Sequence, residues 1–124
     1  SHPEAREATP YKQPQIKTVL GYDIVSDMSL EAYDKWLWEI HAPDLLDNPH
    51  LERIVFNTVK QKLRGEETFF RISELHISDT STFEAFQEWR DANPVPIERS
   101  PQGKTDFKFY VRSSVQVANR KGTG

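Results

Sequence analysis

The sequence predicts a single α+β domain in which two helices cover one face of a four-stranded antiparallel sheet. Runs rich in β-branched and aromatic residues alternate with two segments of helical spacing. The segments follow the order strand, helix, strand, strand, helix, strand, and a short turn joins the two middle strands. A chain of 124 residues is long enough for one such domain and too short for two.

Composition excludes several classes of function. The formal net charge is −3 and the Lys and Arg residues form no basic stripe, so we expect no nucleic-acid partner. No apolar run approaches the ~20 residues that span a bilayer, so we expect no membrane partner and a cytoplasmic protein. The absence of cysteine excludes disulfides, thiol catalysis and cysteine-ligated metals.

The first half of the chain contains a leader, a strand and a helix. Residues 1–14 combine prolines with charged residues and are expected to be flexible, as are residues 119–124, which leaves 15–118 for the domain. Residues 16–25 predict the first strand. Ser29 is a candidate N-cap for a helix over 30–41, and Pro43 disfavours helix at Ala42. Three- and four-residue spacing places on one face of this helix Leu30, Tyr33, Leu37, Ile40 and His41.

The second half supplies three strands and one helix. Strands over 51–63 and 68–78 flank a hairpin turn at 64–67. Ser81 and Glu84 have the spacing of a capping box, so the second helix begins near Ser81 and ends at Asn93 and Pro94. After a loop over 95–105, alternation over 106–118 places Phe107, Phe109 and Val111 on one face, opposite Lys108, Tyr110 and Arg112.

This element order is that of a ferredoxin-like βαββαβ sandwich. Both helices lie on one face of its sheet, and the other face carries apolar and aromatic residues. We therefore expect this second face to be buried against another copy of the chain, giving a homodimer.

With these elements in place, the chain resembles the EthD-like branch of the dimeric α+β barrel superfamily. The resemblance covers about residues 16–118 and rests on the element order, the aromatic first helix, the segment His41-Ala42-Pro43 and the downstream Asn48-Pro49. It implies that two sheets pair into a barrel. It also implies activity without metal or organic cofactor on small hydrophobic or aromatic molecules, although reaction types in the superfamily are diverse and include haem enzymes.

His41 is the first candidate catalytic residue. Its helical position directs it toward the sheet beside Leu37, and an imidazole is a usable acid or base near neutral pH. The alternative is a histidine that only packs or bonds a carbonyl at the helix end. Asp44, three residues later, is a candidate to orient the ring.

Polar residues on the strands form a second candidate set. Glu74 and His76 share one side of the third strand with Phe70 and Ile72, and would join His41 in one pocket if that side meets the helices. Further binding candidates are Tyr22 or Asp23 on the first strand, Asn57 on the second, and Tyr110 and Arg112 on the last. The last two could stabilise an oxyanion, or could lie on an exposed strand face.

Aromatic side chains complete the predicted pocket. They are suited to a flat apolar ligand, although each of them could equally be part of the core. The candidates are Tyr33, Trp36, Phe86 and Trp89, with Leu37 beside them. No spacing of a known metal site and no phosphate-binding glycine loop is present, so neither a metal nor a cofactor is predicted.

These observations favour a cofactor-independent enzyme acting by acid/base catalysis on a small aromatic or polyketide-like metabolite. Dehydration, cyclisation, isomerisation and decarboxylation all remain open, so a lyase or an isomerase is expected. One alternative is a cofactorless monooxygenase acting on a phenol. Another is a non-catalytic dimer that binds a hydrophobic metabolite.

Overall fold

The computed structural model describes residues 13–121, which form four strands and three α-helices. We label the elements, in chain order, β1 (Ile16–Ile24), α1 (Leu30–Trp36), a π-helical turn (Leu37–His41), α2 (Ala42–Leu46), β2 (Arg53–Thr58), β3 (Arg71–Ile77), α3 (Thr80–Ala92), a 3₁₀ turn (Ile97–Arg99) and β4 (Thr105–Ser114). Most of the predicted leader, residues 1–12, and residues 122–124 of the predicted tail lie outside the described residues.

The four strands form one antiparallel sheet in the order β2-β3-β1-β4. This confirms the predicted ferredoxin-like βαββαβ fold. The helices pack on the sheet face that carries Leu20, Tyr22 and Leu75, where Tyr33 of α1 and Phe83 of α3 join a common buried core. The opposite face, which we call the open face, has no helix against it in residues 13–121 and includes Val19, Val55, Ile72, Phe109 and Val111.

The predicted alternation of the last strand is wrong at one point, because β4 contains a bulge. Gly21 pairs with Phe109 and the next residue, Tyr22, pairs with Phe107, so Lys108 has no partner on β1. Phe107 therefore lies on the helix side with Tyr110, and not with Phe109. On the open face the ring of Phe109 lies over Gly21, where an added Cβ would come within 2.1 Å of a ring carbon.

The first helix continues past the predicted end at His41. Ser29 caps it as expected, accepting a hydrogen bond from the Ala32 N–H at 3.1 Å. Pro43 has no N–H and its ring would clash with the carbonyl four residues back in a regular α-helix. The π-helical turn, in which the Ala42 N–H bonds the Leu37 carbonyl, widens the helix just before this proline, so the chain turns on to Leu46.

Three other boundaries differ from the prediction. The hairpin is an open connection over residues 59–70, because the ladder closes with the Val59 N–H on the Phe70 carbonyl at 2.7 Å and the side chains beyond it, such as Leu63, are exposed. The second helix is capped by Asp79 rather than Ser81, since the Asp79 carboxylate accepts the Thr82 N–H at 2.8 Å. The last strand ends at Ser114.

Asn48, in the predicted Asn-Pro loop, joins the end of α2 to α3. It is fully buried, its Nδ2 donates to the Phe86 carbonyl at 3.0 Å, and its Oδ1 accepts the His50 N–H at 3.1 Å. The end of α2 is therefore held against α3, which closes one side of the space between helices and sheet.

Candidate active site

A cavity of about 290 Å³ lies between the sheet and the helices. This volume is just below the roughly 300–1,000 Å³ typical of small-molecule sites. Its polar lining is Tyr22, Tyr33, His41, Ser73, Arg90, Thr105 and Tyr110. Its apolar lining is Leu20, Leu37, Leu45, Ile54, Phe56, Leu75, Phe86, Val95, Pro101 and Phe107. The walls are thus largely aliphatic and aromatic, with few polar groups among them.

The helical wall of the cavity is a row of residues spaced by four. Tyr33, Leu37, His41 and Leu45 all line it. In a regular α-helix each residue of such a row is rotated by about 40° around the helix axis relative to the one before it, since four residues exceed one turn of 3.6. The wider π-helical turn at Leu37–His41 reverses part of this rotation. It therefore keeps His41 and Leu45 facing the same cavity as Tyr33.

His41 lies in the cavity wall with one ring face covered. Its imidazole stacks on Trp36 with ring centroids 4.6 Å apart and an angle of 15°. Trp36 itself is buried and donates its indole N–H to the Arg99 carbonyl at 3.0 Å, which fixes the surface on which His41 rests. Within residues 13–121 the imidazole nitrogens have no hydrogen-bond partner, so they remain available to a ligand.

The environment of His41 favours the neutral imidazole. Burial lowers its pKa to about 4, and the nearby cations Arg90 and Lys104 act in the same direction, while Asp44 opposes them. At neutral pH the ring is therefore uncharged and can accept a proton.

Asp44 does not orient the imidazole. Its carboxylate accepts two parallel hydrogen bonds from Arg99, from Nε at 2.9 Å and Nη2 at 2.8 Å. This paired geometry is typical of Arg–carboxylate recognition. Asp44 therefore fastens the loop before β4 to the helix that carries His41.

Two tyrosine hydroxyls supply further polar groups of the cavity. The Tyr33 hydroxyl lies 2.7 Å from Thr105 Oγ1, and the Tyr22 hydroxyl is hydrogen-bonded to Ser73 Oγ. Burial raises the pKa of both phenols, so both stay protonated and can donate a hydrogen bond. Such donors suit an oxygen atom that gains negative charge.

The structure brings six of the predicted site residues together around this cavity: Tyr22, Tyr33, Leu37, His41, Phe86 and Tyr110. Trp36 lies directly behind His41. Asp23 lies on the other side of β1 from Tyr22, where its carboxylate accepts the Phe70 N–H at 2.7 Å. Arg112 lies over the Phe83 ring, 4.7 Å from its centroid, and Trp89 lies beside Arg90 near the surface.

Glu74 and His76 do not share a pocket with His41. Both point to the open face, because the neighbouring residues Ser73, Leu75 and Ile77 are the ones that face the helices. Phe70, predicted to share their side, packs instead against Tyr22 and Tyr33.

On the open face the predicted polar residues form a cluster of their own. Glu74 accepts hydrogen bonds from His76 Nε2 at 2.9 Å and from Asn57 Nδ2 at 3.2 Å, and pairs with Lys17 Nζ at 2.7 Å. Burial raises the pKa of Glu74, but hydrogen bonds and charge interactions with Lys17 and His76 outweigh it, so the pKa lies below its ordinary value. The helices and the cavity lie on the other side of the sheet, so this carboxylate is not the partner of His41.

Sequence reasoning missed Arg90, Ser73 and Thr105 as cavity residues. Arg90 follows Phe86 by four residues, which is the signal that could have found it, since both share one helix face. Ser73 alternates with Leu75 and Ile77, whose apolar character marks the buried side of β3.

The described part of the chain contains neither a metal-binding cluster nor a membrane-spanning helix. No group of three or more His, Asp or Glu side chains within residues 13–121 could hold a metal ion. None of the helices in that range is both long enough and apolar enough to cross a bilayer.

Comparisons with known proteins show what the fold resembles. No family model matches the chain, and no curated protein matches its sequence. Similar solved structures include an ethyl tert-butyl ether D (EthD) family protein from Bacillus halodurans, with TM-score 0.59, 14% identity, and coverage of 82% of this chain and 98% of that one. HapK from Hahella chejuensis gives TM-score 0.54 and 11% identity over 88% of this chain and 99% of that one.

A hypothetical protein from Arabidopsis thaliana, At3g17210, gives TM-score 0.60 and 16% identity over 90% of this chain and 96% of that one. At these identities the likeness speaks for the fold alone. The chain therefore has an EthD-like, ferredoxin-type α+β fold.

Proposed function

We propose that this chain is a cofactor-independent enzyme that moves a proton on a small aromatic or polyketide-like metabolite, with His41 as the acid or base. The observation that carries the proposal is a neutral imidazole with unbonded nitrogens in the wall of an apolar cavity. The cavity also contains hydroxyl donors on Tyr22 and Tyr33.

The first step follows from these groups. His41 accepts the proton of a C–H next to a substrate carbonyl, and the C–H electron pair moves into the carbonyl to give an enolate. A tyrosine hydroxyl donates a hydrogen bond to the enolate oxygen. The imidazolium then returns its proton to another carbon, completing an isomerisation, or to a departing hydroxide, completing a dehydration that releases water. In a decarboxylation His41 instead takes the proton of the carboxylic acid, the C–C electron pair stays on the carbon as carbon dioxide departs, and the imidazolium returns its proton to that carbon.

Hydrogen–deuterium exchange tests the proposal without knowledge of the natural substrate. A panel of flat carbon acids, including 2-tetralone, is incubated with the protein in D₂O, and loss of the proton signal beside the carbonyl is followed by NMR. We expect exchange faster than the buffer rate for at least one compound that binds. Exchange at the buffer rate for every bound compound would contradict the proposed chemistry.

A binding protein without catalysis is the second candidate. Two observations favour it: a histidine with a pKa of about 4 is a weak base, and both tyrosine hydroxyls already have partners. The exchange experiment separates the two, because a binding protein would retain affinity for the panel without accelerating exchange.

We also propose that the open face pairs with a second copy of the chain. Where β1 pairs with β4 this face is apolar, with Val19 paired to Val111, which is 48% exposed, and Phe109 beside them. Apolar faces of this kind are usually covered in proteins that work in water. Burial against an identical face satisfies this requirement with two-fold symmetry.

Light scattering coupled to gel filtration tests the dimer. We expect a mass of twice the 14.4 kDa of one chain. Val111→Glu places a charge in this apolar part of the face and should give the monomer mass, whereas Gln102→Glu, a new charge on an exposed loop, should not. A monomer mass for the unchanged chain at high concentration would reject this assembly.

A further inference from the structure

We propose that the ligand of the cavity carries a carboxylate, which the guanidinium of Arg90 binds beside His41. This inference rests on the proposed function, since it names the class of molecule that the same cavity accepts: a flat apolar acid.

Arg90 lines the cavity and is held in place by neutral groups. Its Nη2 donates to the Asp44 carbonyl at 3.2 Å, and its Nη1 donates to the Asn93 carbonyl at 3.2 Å. Both acceptors belong to the backbone, so they fix the guanidinium without neutralising its charge. An arginine has five N–H donors, and these bonds leave three of them for another partner.

Within residues 13–121 Arg90 forms no ion pair with a carboxylate. Asp44 accepts a hydrogen bond from Arg90 through its backbone carbonyl, but its carboxylate accepts from Arg99, at 2.8 and 2.9 Å. The negative charges of Asp47 and Glu98 also favour the protonated form of Arg99 and so raise its pKa. These three acidic groups thus act on Arg99, and none of them forms an ion pair with Arg90.

A second cation near His41 is likewise held by hydrogen bonds to neutral backbone carbonyls. Lys104 donates to the backbone carbonyls of Glu98 at 3.2 Å and Ser100 at 3.0 Å, and its Nζ lies 5.4 Å from the centroid of the Trp36 ring on which His41 stacks. Arg90 and Lys104 both disfavour a protonated imidazole at His41, and only Asp44 acts against them. The chain carries a net charge of −3, so this positive region is a local feature.

A carboxylate is the group that fits this arrangement. A fixed guanidinium presents parallel N–H groups that a carboxylate accepts in pairs, and the surrounding apolar walls strengthen the attraction. Binding also has a consequence for the chemistry. A bound carboxylate offsets the charge of Arg90, which raises the pKa of His41 toward its ordinary value and makes the imidazole a stronger base.

Two ligands of nearly equal shape test the proposal. The affinities of 2-naphthoate and 2-naphthamide are measured by calorimetry at about pH 8, where the acid is ionised and the His41 ring is neutral. We expect the wild-type chain to prefer the carboxylate by about tenfold or more. Arg90→Gln should remove the preference and Arg90→Lys should keep part of it. Arg64→Gln, the same substitution at an exposed loop position, should leave it unchanged.

The outcomes separate this inference from the proposed function. Equal affinity of the wild-type chain for both ligands overturns the carboxylate proposal and leaves a working cavity. A preference that survives in a folded Arg90→Gln variant assigns the anion to another residue and also overturns it. Failure of both ligands to bind the wild-type chain overturns the proposal of a flat apolar acid, while the exchange panel still decides the proposed function.

Discussion

Replacing His41 with Gln should slow catalysed hydrogen–deuterium exchange by about 100-fold or more, the loss expected when a general base is removed. Glutamine retains polar atoms and similar reach, but it cannot take up a proton near neutral pH. The tyrosine hydroxyls and the apolar walls remain, so binding of the exchanging compound should change much less than the rate. The measurement is the exchange rate of a bound carbon acid, with affinity determined in parallel.

His50→Gln is the matched control for this substitution. His50 is in the loop before β2 and is not among the residues that line the cavity. Its replacement makes the same chemical change outside the site, so the exchange rate should remain that of the unchanged chain. Equal rates for His41→Gln, His50→Gln and the unchanged chain would assign the proton transfer to another group.

The second large effect is a loss of stability in mild acid that depends on His41. Its pKa falls from 6.5 to about 4 on folding, mainly through burial. The unfolded chain therefore binds a proton at this position between these two values, and the folded chain does not. Stability from this group is complete above about pH 6.5 and declines as pH falls toward 4, by about 3 kcal/mol in total.

Urea unfolding at a series of pH values measures this contribution. His41→Gln has no group that titrates at this position, so its free energy of unfolding should decline by about 3 kcal/mol less than that of the unchanged chain between pH 7 and pH 4. Other acidic groups contribute equally to both proteins and cancel in the difference. Parallel pH profiles for the two chains would show that His41 is not held neutral by folding.

The helical side of the site could be predicted in part from spacing. Tyr33, Leu37 and His41 recur at intervals of four, which places them on neighbouring positions of one side of the helix. The effect of Pro43 could not be predicted in the same way. A proline can end a helix or be accommodated by a wider turn, and packing of Leu45 into the cavity wall favours the second outcome here.

The strand side was harder to predict, because alternation groups residues without saying which group faces the core. Glu74 and His76 share a side, as expected, but that side is the open face. In β4 a single bulge at Lys108 reverses the alternation between Phe107 and Phe109, and the sequence carries no marker of it. The position of Arg90 was hard to predict for a different reason. Its guanidinium is held by the Asp44 carbonyl, which is 46 residues away in sequence.

An NMR titration of the His41 ring tests the central claim most directly. The signal is one of four histidine signals and is assigned by its absence in His41→Gln. We expect a pKa of about 4 in the free protein and an upward shift when the cavity is saturated with 2-naphthoate. A pKa at the ordinary value of 6.5 that does not change when the ligand is added would mean that this imidazole lies in water, outside any site.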